Sequence, residues 1–314
     1  MKRLLAMLGP MLGFMLVFVW FAVRNPDTFF TTGNLLTVAV HTVIVGLTAL
    51  GMTFVVVSGG IDLSVGSVAA LASVTAAVLR IAGWDIGPAC AVGICAGASI
   101  GLLNGALVVG FGIGPFLVTL GTMGIARGLA KWLAEERVVQ ADPGWLPAWM
   151  SKFPEPPWLV LAPAVWLLLL LALGLAVVLA RSRFGVHCYA VGSNEKNARL
   201  CGVPVGAVKL RVYALAGLMA GLAGVLNFGR VRVGDPTAGL GLELQVIAAV
   251  VLGGGSLAGG EGTVLGSLLG AFCMAVLANG CTLEGLPNYV QEMLVGGIII
   301  FAVGLDRWRR RGSG

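Results

Sequence analysis

The chain has 314 residues, of which 58% are hydrophobic and only 11% charged, and its mean hydropathy is +0.97. Soluble domains carry about 25% charged residues to wet their surface, so this composition excludes a soluble enzyme or scaffold of this length and makes lipid the solvent. The net charge of +6 does not point to nucleic acid, because the basic residues gather at a few places between apolar runs.

A helix that crosses a hydrocarbon core of about 30 Å needs about 20 apolar residues. The first such run is 4–23, behind Lys2 and Arg3. No small-residue cleavage site follows it, so it reads as a span rather than a signal peptide. Further runs lie near 35–57, 65–82, 88–110, 115–134, 158–180, 208–228, 242–258, 262–282 and 287–305. They predict an all-α, polytopic membrane helix bundle of about ten transmembrane helices, forming one transmembrane domain over 1–314. An even number of spans puts both termini on one side. Lys2, Arg3, the basic stretch 181–211 and the tail Arg307, Arg309, Arg310 and Arg311 make that side the cytoplasm. Arg24, Arg80, the 135–157 loop, Arg230 and Arg232 then fall outside.

Glycine is abundant, with 48 residues, and recurs at four-residue spacing: Gly97, Gly101 and Gly105; Gly217 and Gly221; Gly266 and Gly270. Small residues one turn apart let helix backbones approach where lipid offers no hydrophobic drive to associate. Two segments interrupt the plain bundle pattern. Residues 55–70 (VVVSGGIDLSVGSVAA) and 250–265 (VVLGGGSLAGGEGTVL) share an order of apolar run, glycine cluster, one acid, and a small polar residue opening the next run. Glycine-interrupted segments in both halves mark the translocation region of transporters, and these two fall toward the cytoplasmic side as joints in broken helices. Asp62 either caps the helix that starts near Ser64 or faces the path. Asn104, Asn227, Glu243 and Gln245 are the other polar groups inside apolar sequence, each able to bond across helices or touch a polar solute.

The longest segment between spans on the cytoplasmic side is 181–207. Ser193 or Asn194 is an N-cap, Glu195 sits in the first turn, and Gly202 followed by Pro204 is a stop signal, which predicts a polar helix of about two turns. It is either a docking element for a soluble partner or an ordinary loop. The six cysteines show no CxxC spacing, and His41 and His187 stand alone. No metal site, cofactor, disulfide or catalytic constellation is expected. No GxxxxGK[ST] phosphate loop occurs, so the chain is not an enzyme, and any ATP hydrolysis belongs to another polypeptide.

At 49–74 (ALGMTFVVVSGGIDLSVGSVAALASV) the chain resembles the permease subunits of ATP-binding-cassette importers for monosaccharides, the ribose-type group. The resemblance continues through 120–128 (LGTMGIARG), 189–203 (YAVGSNEKNARLCGV), 215–227 and 243–270, and so covers almost the whole chain. It implies that the cytoplasmic segment 184–207 holds a coupling helix seated on the ATPase, with Gly192, Ser193, Asn194, Asn197, Ala198, Gly202 and Val203 as contact residues. It also implies three partners within the bilayer system: ABC ATPase subunits, a second permease subunit in a homo- or heterodimer, and a periplasmic or extracellular sugar-binding protein. The location implied is the inner (cytoplasmic) membrane. The stretches 133–149 and 182–192 are most similar to galactofuranose-type permeases. Ala258 and Glu261 depart from the pattern, which is usually uncharged at that joint. The competing readings are an ABC permease for nucleosides or branched-chain amino acids, and a proton-coupled secondary transporter in which Asp62 carries the proton.

Overall fold

The computed structural model describes residue 15 and residues 17–311. The expected first span, 4–23, therefore lies mostly outside the described residues, which show helix at 17–24. The main helices that follow are α1 (Thr32–Val57), α2 (Val65–Ile81), α3 (Ile86–Gly110), α4 (Pro115–Leu133) and α5 (Pro163–Arg181). After them come α6 (Arg183–Ser193), α7 (Glu195–Leu200), α8 (Val205–Val231), α9 (Leu242–Leu252), α10 (Val264–Leu283) and α11 (Asn288–Arg311). The strands among the described residues are one antiparallel pair, with Val139 opposite Gly234 and Gln140 opposite Val233.

Five helical segments are long and apolar enough to cross a membrane by length and composition: Thr32–Val57, Ile86–Gly110, Pro157–Arg181, Val205–Val231 and Val264–Leu283. Val65–Ile81, Leu242–Leu252 and Asn288–Phe301 are shorter apolar helices. The run 242–258 departs from the expectation of a full span. Its helix stops at Leu252 after 11 residues, a rise of about 16 Å, half of what the hydrocarbon core requires. Three glycines, 253–255, end it, and Gly254 takes a left-handed φ of +87°. Both glycine-cluster segments thus share one construction, a helix, a joint and a second helix. The first is α1, joint 58–64 and α2; the second is α9, joint 253–263 and α10.

The bundle is organised around α8, which packs on α3, α1 and α2. The α3–α8 seam is built from the glycines at four-residue spacing. A Cβ placed on Gly97 would sit 2.7 Å from the Cα of Gly221, and one on Gly101 would sit 3.0 Å from the Cα of Gly217. Gly105 continues the line against the Cα of Leu210, at 2.8 Å. The backbones therefore touch directly, which is how dispersion contacts accumulate in a lipid solvent. On an adjoining face of α8, Gly51 of α1 meets Ala216 with the same closeness, 2.7 Å from a built Cβ to Cα.

The segment between α5 and α8 differs from the expected loop with a single helix. It carries two helices. Ser182 caps α6 by accepting from the N–H of Gly185 at 3.1 Å, and Asn194 caps α7 by accepting from the N–H of Asn197 at 2.9 Å. Ser182 was the start signal for α6, hidden behind the basic residues on either side of it. α7 ends at Leu200, and Gly202 beyond it has φ +82°.

Candidate functional site

The two joints and the end of α6 meet at one place. The N–H of Gly260, in the second joint, donates to the carbonyl oxygen of Val57, the last residue of α1, at 2.9 Å. Gly192, near the end of α6, lies against both partners of that bond. A Cβ on it would overlap the Val57 carbonyl oxygen and sit 2.6 Å from the Gly260 nitrogen. Gly259 closes the contact, because its built Cβ would be 2.8 Å from the Cα of Gly59 and 2.6 Å from the carbonyl oxygen of Gly192. It also has φ +85°, a conformation that costs an L side chain about 1–2 kcal/mol. One glycine from each of three segments (59, 192 and 259) therefore meets backbone to backbone. Two side chains of α6 reinforce the junction. The Tyr189 hydroxyl donates to the carbonyl oxygen of Gly262 at 2.7 Å, and Ser193 lies against Gly260.

The first joint is braced further by a buried polar network. Asp62 is 1% exposed and its Oδ1 accepts from the Ser64 N–H at 2.9 Å and the Ser64 hydroxyl at 2.6 Å. Asn104 of α3, fully buried, donates through Nδ2 to the Ser64 hydroxyl oxygen at 2.9 Å. Its Oδ1 accepts from the Thr122 hydroxyl of α4 at 2.6 Å. The Thr119 hydroxyl, one turn away, lies 3.2 Å from the Ile61 carbonyl oxygen and 3.0 Å from that of Pro115, and its one proton is shared between them. A buried carboxylate demands such partners, since leaving it bare in a low dielectric is costly. Asp62 is thus turned back on the start of α2, and its accepted bonds tie the joint to two other helices. Tyr213 of α8 faces the same joint with a hydroxyl that has no hydrogen-bond partner among the described residues, and that oxygen is the first atom a Cβ on Gly60 would meet.

Of the expected path residues, Asp62 and Asn104 come together through Ser64. Glu243, in the first turn of α9, lies beside Gly66, 2.6 Å from a Cβ built there, and accepts from the N–H of Gly241 at 3.3 Å. Asn227 and Gln245 are half-buried on α8 and α9, and among the described residues no hydrogen bond joins them to the network. Sequence reasoning saw Ser64 only as the helix start beside Asp62, and missed Thr119, Thr122, Tyr189 and Tyr213. The spacing of Thr119 and Thr122 on one face of α4 was the available signal for that pair.

The expected docking residues separate into two groups. Gly192 and Ser193 belong to the junction, and Asn194 caps α7. Asn197 and Gly202 are exposed, Ala198 is buried against the bundle, and the Val203 N–H donates to the Ala198 carbonyl oxygen at 3.0 Å. Leu200 stands out from α7 at 86% exposure, with exposed Lys196, Arg199 and Cys201 around it. α7 is held to α8 by Glu195, which accepts from Lys209 Nζ at 2.7 Å and pairs with Arg199 at 3.2 Å. The Lys209 hydrogen bond, assisted by the charges of Lys209 and Arg199, keeps the Glu195 carboxyl below the ordinary carboxylate range.

A protein-family profile described as branched-chain amino acid transport system / permease component matches residues 34–303. The chain is 38% identical to the ribose import permease protein RbsC of Bacillus subtilis (strain 168) over 303 residues, 96% of this chain and 92% of that protein. It is 36% identical over 260 residues to the autoinducer 2 import system permease protein LsrC of Photorhabdus luminescens, 83% of this chain and 77% of that one. With the L-arabinose ABC transporter permease protein AraH of Azospirillum brasilense it shares 34% identity over 310 residues, 96% of this chain and 88% of the other. No solved structure matches.

Proposed function

The chain belongs to the branched-chain amino acid transport system / permease component family, and on that premise we propose that it is the membrane-spanning subunit of an ATP-binding-cassette importer for a monosaccharide. The observation that carries the reading is the α6–α7 segment. A capped helix of six residues, presenting an exposed leucine among basic and polar groups, contributes little to bundle stability and has the form of a docking element. Leu200 is its apolar anchor, and Lys196, Asn197, Arg199 and Gly202 form the rim. The partner is an ATPase subunit on the cytoplasmic side, where both termini also lie. A second permease subunit completes the path, and a sugar-binding protein outside delivers the solute.

The sugar assignment rests on relatives named for ribose and L-arabinose, and on a buried network made of neutral polar groups with one carboxylate already engaged. The family description also covers branched-chain amino acid carriers, which makes that substrate class the second reading. One experiment addresses both. The chain is purified from its membrane with an ATPase subunit, and hydrolysis is measured in vesicles with candidate binding proteins. Stimulation by a sugar-loaded binding protein is expected. Stimulation by a leucine-loaded protein alone would replace the substrate class, and failure to hold any ATPase would remove the importer reading.

A further inference from the structure

Docking explains why α7 is exposed, but not why α6 ends inside a contact between two joints that are about two hundred residues apart in sequence. A loop needs no such seat. The Gly260–Val57 hydrogen bond links the second joint to the end of α1, and Gly192 covers that same bond. The contact leaves no room for a side chain on Gly192, so α6 advancing toward the junction presses on both joints, and the one not bonded to α3 and α4 is the one that yields. Contact of this kind transmits a push. It does not transmit a pull, because glycine surfaces that only touch can separate. The Tyr189 hydroxyl supplies the missing tension: its 2.7 Å bond to the Gly262 carbonyl oxygen fastens the far end of the second joint to α6, one turn before Gly192. Tyr189 is half-buried and packs against the hydrophobic core. The first joint has no equivalent side-chain tie to α6 among the described residues. Its side-chain bonds run instead to α3 and α4.

Resting on the docking reading above, we infer that α6 is a two-way drive rod for the second joint, and that Tyr189 is the positioning residue that lets the joint follow α6 in both directions of the cycle. Force arriving at α7 moves the 253–263 joint, while the 58–64 joint stays with α3 and α4. Tyr189 touches no solute and no nucleotide; it acts through the backbone of Gly262.

The test uses the assembled transporter in lipid vesicles and the substitution Tyr189→Phe, which keeps the ring and deletes only the hydroxyl. Spin labels at Val186 of α6 and Ala258 of the second joint, both exposed, report whether the two segments move together. In the unmodified chain the distance between the labels is expected to stay constant on ATP binding and after hydrolysis. In Tyr189→Phe the ATPase remains bound and still hydrolyses, but solute carried per ATP falls about five-fold, the worth of one neutral hydrogen bond, and the label distance splits into two populations. A merely structural bond would lower thermal stability and leave both the ratio and the label distance unchanged. That result would overturn the inference while leaving the docking reading in place. Loss of ATPase association by the unmodified chain would instead remove the docking reading, and this inference with it.

Discussion

The two joints interrupt their helices in the same way and are held by different forces. The first, 58–64, is pinned by side chains: Asp62, Ser64, Asn104 and Thr122 form one buried chain of hydrogen bonds across three elements. The second, 253–263, carries a run of main-chain bonds and takes the Tyr189 hydroxyl on its Gly262 carbonyl oxygen. Ser256 N–H donates to the Glu261 carbonyl oxygen at 3.1 Å, Gly259 N–H to that of Ser256 at 2.9 Å, and Gly260 N–H to that of Val57 at 2.9 Å. Buried side-chain networks specify one geometry, because every broken link leaves a polar group stranded. Glycine backbones in contact specify a surface along which either partner can shift. On the inference above, the comparison separates a joint tied to α3 and α4 from one that follows α6, although their sequences read almost alike.

The contrast is broken most severely at the shared contact. Gly192→Val places a branched side chain where Val57 and Gly260 already stand. It is expected to cost about 3 kcal/mol, read as a drop in thermal stability in detergent, and to abolish uptake. Next comes the fixed joint itself. Asp62→Ala strands Ser64 and the links behind it for about 2 kcal/mol, whereas Asp62→Asn keeps an acceptor and loses less. Equal losses would mean that the charge, rather than the accepted bonds, holds this joint. The tie between α7 and α8 is weaker, worth less than about 1 kcal/mol because Glu195 is solvent-accessible. Its folded carboxyl titrates below the ordinary range, so its stabilisation is present at neutral pH and is lost as pH falls from that range through the depressed value. Hydrogen exchange of α7 amides should quicken over that interval, and Glu195→Gln should remove the pH dependence. The smallest effect is expected at Tyr213. Deleting its unpartnered hydroxyl with Tyr213→Phe should leave the melting temperature unchanged or slightly raised, and a loss above about 1 kcal/mol would reveal a bond absent from this state.

Much of the bundle was legible in the order of apolar runs, and both joints in their glycine clusters. The runs could not locate every helix end, because glycine is neutral in hydropathy yet does little to sustain a helix. This is why 242–258 read as one span, although Gly253, Gly254 and Gly255 end the helix at its middle. α6 was invisible for a different reason: Arg183, Gly185 and His187 do not make an apolar run, and the helix is stabilised by what it rests on. Asn104 could be recognised as a buried polar group, but its partners Ser64 and Thr122 lie 40 and 18 residues away. Nothing in one sequence pairs positions at that distance. The helix α7 was readable from its cap and stop residues, whereas the seat of α6 between the joints depends on tertiary contact alone.

The glycine seam between α3 and α8 has a consequence for how this protein can change over generations. Where two bulky side chains collide, a second mutation that trims the opposite residue can restore the fit. At Gly97 against Gly221, or Gly101 against Gly217, the opposite residue is already the smallest there is. No suppressor can arise across the seam, so a substitution there is repaired only by true reversion or by moving the whole helix. Selection for suppressors of Gly101→Ala should therefore return revertants at that codon, or changes that displace α3 bodily, and none at Gly217.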